Sequence, residues 1–259
     1  MKKLLAFALA LVLVLGVMTA ALAEGSDKDY VTGKGTLIVG ITDFAPMDYQ
    51  DADGNWIGFD ADLARAFGEY LGVEVQFVEI EWSNKILELD TITIDCVWNG
   101  MTLTPEVIEA MEASNPYANN AQVVILPVEK IAEYDSVESL ADLTFAVESG
   151  SAGEAVINEL GYATTPVLSQ ADALMEVAGG TSDAAVIDSL MAAAMVGEGT
   201  DYEGLGYTLP LNDEEYGVGF RKGSDLAAEL NAFLTAAYAD GTIAAIAETY
   251  GVTAAIIPQ

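Results

Sequence analysis

Carboxylates, aromatic side chains and small hydrogen-bonding residues recur at one kind of place in this sequence, just beyond short apolar runs. Asp43 and Phe44 follow Leu37-Ile38-Val39-Gly40-Ile41, and Trp82 comes soon after the alternating run 73–77. Asn99, Gly100 and Thr102 sit at the end of the run that starts at Ile94. Glu148, Gly150 and Ser151 follow Phe145-Ala146-Val147, and Asp188 closes Ala184-Ala185-Val186-Ile187. In open α/β sheets ligands bind beyond the carboxyl ends of the strands, so these positions can converge on one crevice. Aromatic faces, hydroxyls and carboxylates together suit an amphiphilic small molecule. Each also has a plain structural use. Phe44 and Trp82 can be core aromatics, and Ser149-Gly150-Ser151 can simply cap a helix. The free N–H groups of such a cap would equally suit a carboxylate, because helix N-termini attract anions. Asp188 is harder to set aside: a carboxylate so close to a buried strand needs a partner, and no basic residue lies near it in sequence.

The elements that must position these residues alternate in type. Residues 37–41, 73–77, 94–98, 122–126, 145–147, 184–187 and 216–220 read as strands, by apolar runs or by alternation. Between them, Asp60 is expected to cap a helix that places Leu63, Phe67, Tyr70 and Leu71 on one face and ends at Gly72. Residues 83–89 and 105–111 read as short helices, and a helix after Ser151 ends at Gly161. Ser169 and Asp172 have the spacing of a capping box for another. A long alanine-rich helical segment starts at Asp225. Strand–helix alternation predicts an α/β fold with parallel sheets covered on both faces. Two such blocks, with a C-terminal segment free to rejoin the first, predict two lobes joined by a two-segment hinge. Lobe 1 takes residues 36–125 and 215–259 and lobe 2 takes 126–214, with crossings near 124–129 and 211–216. Residues 24–35, polar and glycine-containing, read as a flexible leader.

Composition narrows the function. Lys2 and Lys3, the apolar core 4–17 and Ala21-Leu22-Ala23 form an export signal over residues 1–23, too short in its apolar part for a typical spanning helix. The remaining 236 residues suffice for one large domain or two small ones, and no later apolar run is long enough to cross a membrane. The whole chain carries 9 basic and 41 acidic residues. Without Lys2 and Lys3 seven basic residues remain, for a net charge of −34. Nucleic acid is excluded as a partner, since its binding relies on Lys and Arg neutralising phosphates. The acidic field either serves solubility or gathers cationic solutes. Cys96 is the single cysteine and there is no histidine, which excludes an intramolecular disulfide, zinc sites and histidine-dependent catalysis. No metal or other cofactor is expected. With no cysteine at the mature N-terminus, a lipid anchor attached there is not expected either.

Six stretches, in order and spacing, resemble the polar-amino-acid family of bacterial extracytoplasmic solute-binding proteins that feed ABC importers: residues 40–49 (GITDFAPMDY), 54–71 (GNWIGFDADLARAFGEYL), 94–104 (IDCVWNGMTLT), 145–151 (FAVESGS), 183–188 (DAAVID) and 216–222 (YGVGFRK). The resemblance implies a periplasmic-binding-protein-like fold of two lobes that close on a solute, no catalysis, an ABC transporter permease as partner and, we expect, a monomer. It implies that Phe44 and Trp82 sandwich the solute, that Gly100, Thr102 and Ser151 touch it, and that Asp188 takes its ammonium group. The family commonly places an arginine for the α-carboxylate where this chain has Val107. Two explanations stay open. Either a carboxylate is held by Ser151, Thr102 and helix N–H groups, with Lys85 reaching in, or the ligand is a cationic amine without an α-carboxylate, favoured by Asp43, Glu148 and Asp188. A few relatives act as dehydratases, and a detached sensory module is a further alternative.

Overall fold

A computed structural model describes residues 25–259; the expected export signal, 1–23, lies outside the described residues. The first element among the described residues is α1 (Asp27–Lys34), in the segment read above as a flexible leader. Its polar composition concealed both local and distant anchors. Ser26 caps it, accepting the Asp29 N–H at 3.0 Å, and Gly35 ends it in the left-handed region at φ 77°. Val31 is fully buried, and Arg221 and Lys34 form ion pairs with Asp27 and Asp95 at 3.1 and 2.7 Å.

The first sheet starts with β1 (Thr36–Ile41), passes a two-residue hairpin, β2 (Tyr49–Gln50) and β3 (Trp56–Ile57), and then α2 (Phe59–Leu71) leads to β4 (Glu74–Glu79). Gly58, not Asp60, is the residue before α2; Asp60 is wholly buried in its first turn. The cap assignment fails because the Asp60 carboxylate is engaged elsewhere, accepting the Gly100 N–H at 2.6 Å and the Tyr117 hydroxyl at 2.7 Å. After α3 (Lys85–Asp90), β5 (Cys96–Thr102) runs down the middle of the sheet. Its residues alternate between two apolar clusters: Cys96 and Trp98 pack with Phe67 and Phe233, Val97 and Met101 with Leu89 and Ile94. Burial on both faces explains why the strand reads as a continuous apolar run. Then come α4 (Pro105–Ala110), β6 (Met111–Ala113) and β7 (Ala118–Asn120).

One residue, Ala121, separates β7 from β8 (Gln122–Pro127), which belongs to a second sheet. The change of sheet therefore falls before the expected 124–129. The second sheet continues through β9 (Thr144–Glu148), α5 (Ala152–Leu160), β10 (Ala163–Val167), α6 (Gln170–Ala178), β11 (Ala184–Asp188), α7 (Ser189–Met195) and β12 (Leu205–Pro210). Residues 211–213 return the chain to the first sheet, where β13 (Glu214–Arg221) pairs with β5, β6 and β7, and α8 (Leu226–Ala239) and α9 (Thr242–Thr249) pack behind it. The strand orders are β4-β1-β5-β13-β6 and β10-β9-β11-β8-β12. Both sheets are mixed: β4, β1 and β5 are parallel with β13 antiparallel, and β8 runs antiparallel to both of its neighbours, β11 and β12, so that β10, β9, β11 and β12 share one direction. The strands that follow a crossing come directly from the other lobe without a crossover helix, so they need not enter in parallel. The two-lobed α/β architecture is thus the expected one. No single helix among the described residues is long and apolar enough to cross a membrane.

Candidate ligand cleft

A cavity of about 200 Å³ lies between the two sheets at their strand ends. The first lobe contributes Phe44 from the turn after β1, Trp82 from the short turn before α3, Lys85 from the start of α3, and Asn99, Gly100 and Thr102 from the last half of β5. The second contributes Glu148, Gly150 and Ser151 from the end of β9 and Asp188 from the end of β11. Val107 closes one wall with its methyl groups. Asp43 is not brought to this cavity. It is exposed and lines a different depression with Glu79 and Asp201. Consecutive residues of an extended segment point to opposite sides, and it is Phe44, 2% exposed, that turns inward.

The two lobes touch across the cleft. Lys85, expected either as a solvated helix residue or as a group reaching in, is buried; its ammonium donates to the Gly150 carbonyl at 2.8 Å and the Trp82 carbonyl at 3.3 Å and lies 4.9 Å from the Trp82 ring centre. Burial pushes the Lys85 pKa down, against the opposing charges of Glu106, Glu148 and Glu154. Two glycines permit the close approaches. A side chain on Gly100, at φ 53°, would overlap the Phe44 ring, and a Cβ on Gly150, at φ 75°, would stand 2.8 Å from the Ser83 Cα of the opposite lobe.

Asp188 has the partners that its position demanded, and none is basic. Its Oδ1 accepts from Tyr216 at 2.6 Å, from Gln122 at 3.2 Å and from Asn120; its Oδ2 accepts from Gln170. Gln170 also accepts the Asp188 N–H at 2.8 Å. Burial and the nearby Glu214 push the Asp188 pKa up to about 8, against the pull of these donors. Gln170 lines the cavity too, and sequence reasoning missed it. Its only sequence signal is adjacency to the Ser169 cap. Asn99 is likewise occupied, exchanging hydrogen bonds with Thr42 and donating to Asp48 at 2.8 Å.

Glu148 differs from these. It is 3% exposed, and its Oε1 is buried without a hydrogen-bond partner. Burial, helped by the Asp188 charge, pushes its pKa up to about 8, while Lys85 acts the other way. Among the described residues no Lys or Arg nitrogen comes within 4.0 Å of either cleft carboxylate, and no group of three or more acidic residues and cysteine is placed to hold a metal.

The family model of the bacterial extracellular solute-binding proteins, family 3, matches residues 37–253. The chain belongs to that family. It is similar, at 29% identity over 231 residues, to the arginine-binding extracellular protein ArtP of Bacillus subtilis, covering 85% of this chain and 89% of that protein. Among solved structures it resembles a mutant of ArgBP from T. maritima (TM-score 0.80, 30% identity, 86% of this chain and 98% of that one). It also resembles an ancestral amino acid-binding protein, AncCDT-1, a precursor of cyclohexadienyl dehydratase (TM-score 0.79, 32% identity, 87% and 99% covered). Family membership accounts for the two lobes and for the concentration of chemistry at the strand ends.

Proposed function

We propose that this family 3 protein works outside the cytoplasm, exported by residues 1–23, as a monomeric receptor that closes on one amino acid or related amine and presents it to an ABC transporter permease. The observation that carries this reading is the cavity itself: it is lined by strand ends from both sheets, so a solute held there touches both lobes at once. Closure would turn about the two crossings, at Ala121 and 211–213, where each strand ends within three residues of the next. A ligand that contacts both lobes favours the closed arrangement by its differential affinity for it. The relatives named for amino acids support the solute class. No catalytic role is assigned. Asp188 is held by four donors from its own chain, which leaves neither of its oxygens open to a substrate, and the protein's excess negative charge leaves it unsuited to nucleic acid.

The test is a melting-temperature screen of the purified protein with free amino acids, their amines and polyamines, followed by mass analysis of the bound compound. A ligand that binds N but not U raises the melting temperature by mass action, by about 2.7 kcal/mol of stabilisation at a hundred times Kd. The reading requires at least one compound that stabilises and is recovered unchanged. Chemical conversion would assign the dehydratase alternative, and no stabilisation by any member would discard the receptor reading.

A further inference from the structure

We infer that the cleft takes a small organic cation lacking a carboxylate, whose positive head rests against Glu148. The inference depends on the cavity being the ligand site and goes further by naming the ligand's charge.

Recognition of a carboxylate needs free donors, and several of those lining the cavity are engaged. The Thr102 hydroxyl donates to Glu214 Oε1 at 2.9 Å. At the start of α5 the Gly150 N–H, which would meet an anion first, donates to Glu154 Oε2 at 2.7 Å, and the Ser151 Oγ accepts the Glu154 N–H at 3.1 Å. This helix thus supplies its own carboxylate to its own N-terminus, where the dipole favours one. The Gly100 N–H is given to Asp60. Two N–H bonds of Lys85 go to carbonyls, and its charge faces Glu106, Glu148 and Glu154. Val107 offers only methyl groups.

The acceptors show the reverse. Both oxygens of Asp188 are filled by Tyr216, Gln122, Asn120 and Gln170. Glu148 is the cavity carboxylate left with a bare, buried oxygen. A buried acceptor without a partner carries a desolvation cost of about 1–3 kcal/mol, more for a charged group, and a ligand ammonium in contact with it removes that cost. Glu106, Glu148 and Asp188 against one lysine leave the lining with more acids than bases. Trp82 and Phe44 add aromatic surface, which also attracts cations.

Matched pairs that differ by a carboxylate test the inference: agmatine with arginine, putrescine with ornithine, phenethylamine with phenylalanine, and choline with betaine. Isothermal calorimetry on the full mature protein should show at least one amine binding about tenfold or more tighter than its carboxylated partner, the scale of one lost charged hydrogen bond. Glu148→Gln keeps the size and hydrogen-bonding ability of the side chain but removes its charge. It should weaken that amine about tenfold or more without lowering the melting temperature of the free protein. If the carboxylated member of every binding pair wins, or if Glu148→Gln leaves Kd unchanged, the inference is wrong while the receptor reading survives. Binding of neither member of any pair overturns the inference, and the receptor reading then stands or falls with the wider melting-temperature screen.

Discussion

Glu148 and Asp188 are two buried carboxylates at the ends of neighbouring strands, and their partners give them different work. The location of both was legible in the sequence, since each ends an apolar run. What was not legible is that Asp188 is satisfied from within, because its four donors come from β7, β8, α6 and β13, remote from it in sequence. Asp43 was misjudged for a local reason, the two-residue period that sent Phe44 inward instead. At this scale Glu148 makes a pH prediction. It is faced by Asp188 from β11, by Lys85 from α3 and by Gln170 and Asp172 from α6, and its proton is held to about pH 8 chiefly by burial. A bound cation requires the ionised form, so binding must release that proton. For a ligand with permanent charge, such as choline, affinity should rise with pH between 6 and 8, by up to about tenfold per unit for one released proton. Calorimetry in buffers of different ionisation heat reads the proton directly. Affinity that is flat or falls over this range contradicts Glu148 as the cation's partner.

Elements were legible in proportion to their burial. The central strands β1, β5, β9 and β11 stand out because both faces are covered, and α2, α5 and α6 because Gly72, Gly161 and Ser169 mark their ends. The edge strands of the second sheet did not. β10 and β12 border the second sheet, are half-exposed along most of their length and carry Pro166 and Pro210. Proline and partial exposure are what edges tolerate, and both erase the apolar signal. The short β6 and β7, three residues each, are too brief to carry a readable alternation. The turn from β9 into α5 carries a prediction. Gly150 holds a positive φ while its Cα hydrogen faces the Ser83 backbone of the other lobe. Alanine there must push the lobes apart and also carries about 1–2 kcal/mol of left-handed strain. Gly150→Ala should therefore fold, lose no more than a few degrees of melting temperature, and bind its ligand about tenfold or more weakly. Small-angle scattering should show that ligand no longer contracts the molecule. Wild-type affinity in this variant would mean that the lobes need not meet at Ser83.

For the molecule as a whole, the protonation of its buried acids sets how stability follows pH. Burial raises the pKa of Asp60 to about 7 and those of Glu148 and Asp188 to about 8, from ordinary values of 3.8, 4.5 and 3.8. Between those ordinary values and the raised ones the folded protein keeps protons that the unfolded chain has released. Stability rises with pH only where the unfolded state binds more protons; here it binds fewer, so stability must fall as pH climbs from about 5 to 8. An acidic surface, 41 acids against 9 bases along the whole chain, adds self-repulsion of the same sign as its exposed carboxylates ionise. The ligand-free protein should thus melt several degrees higher at pH 5 than at pH 8, each kcal/mol corresponding to roughly 2–4 °C for a chain of this size. Asp60→Asn and Glu148→Gln remove one buried proton each and should flatten the slope, whereas neutralising an exposed acid such as Glu159 should change it little. Scanning calorimetry across that range decides the matter: a melting temperature that climbs toward pH 8 would show that these carboxylates are ionised in the folded protein and matched by charge the fold does not display.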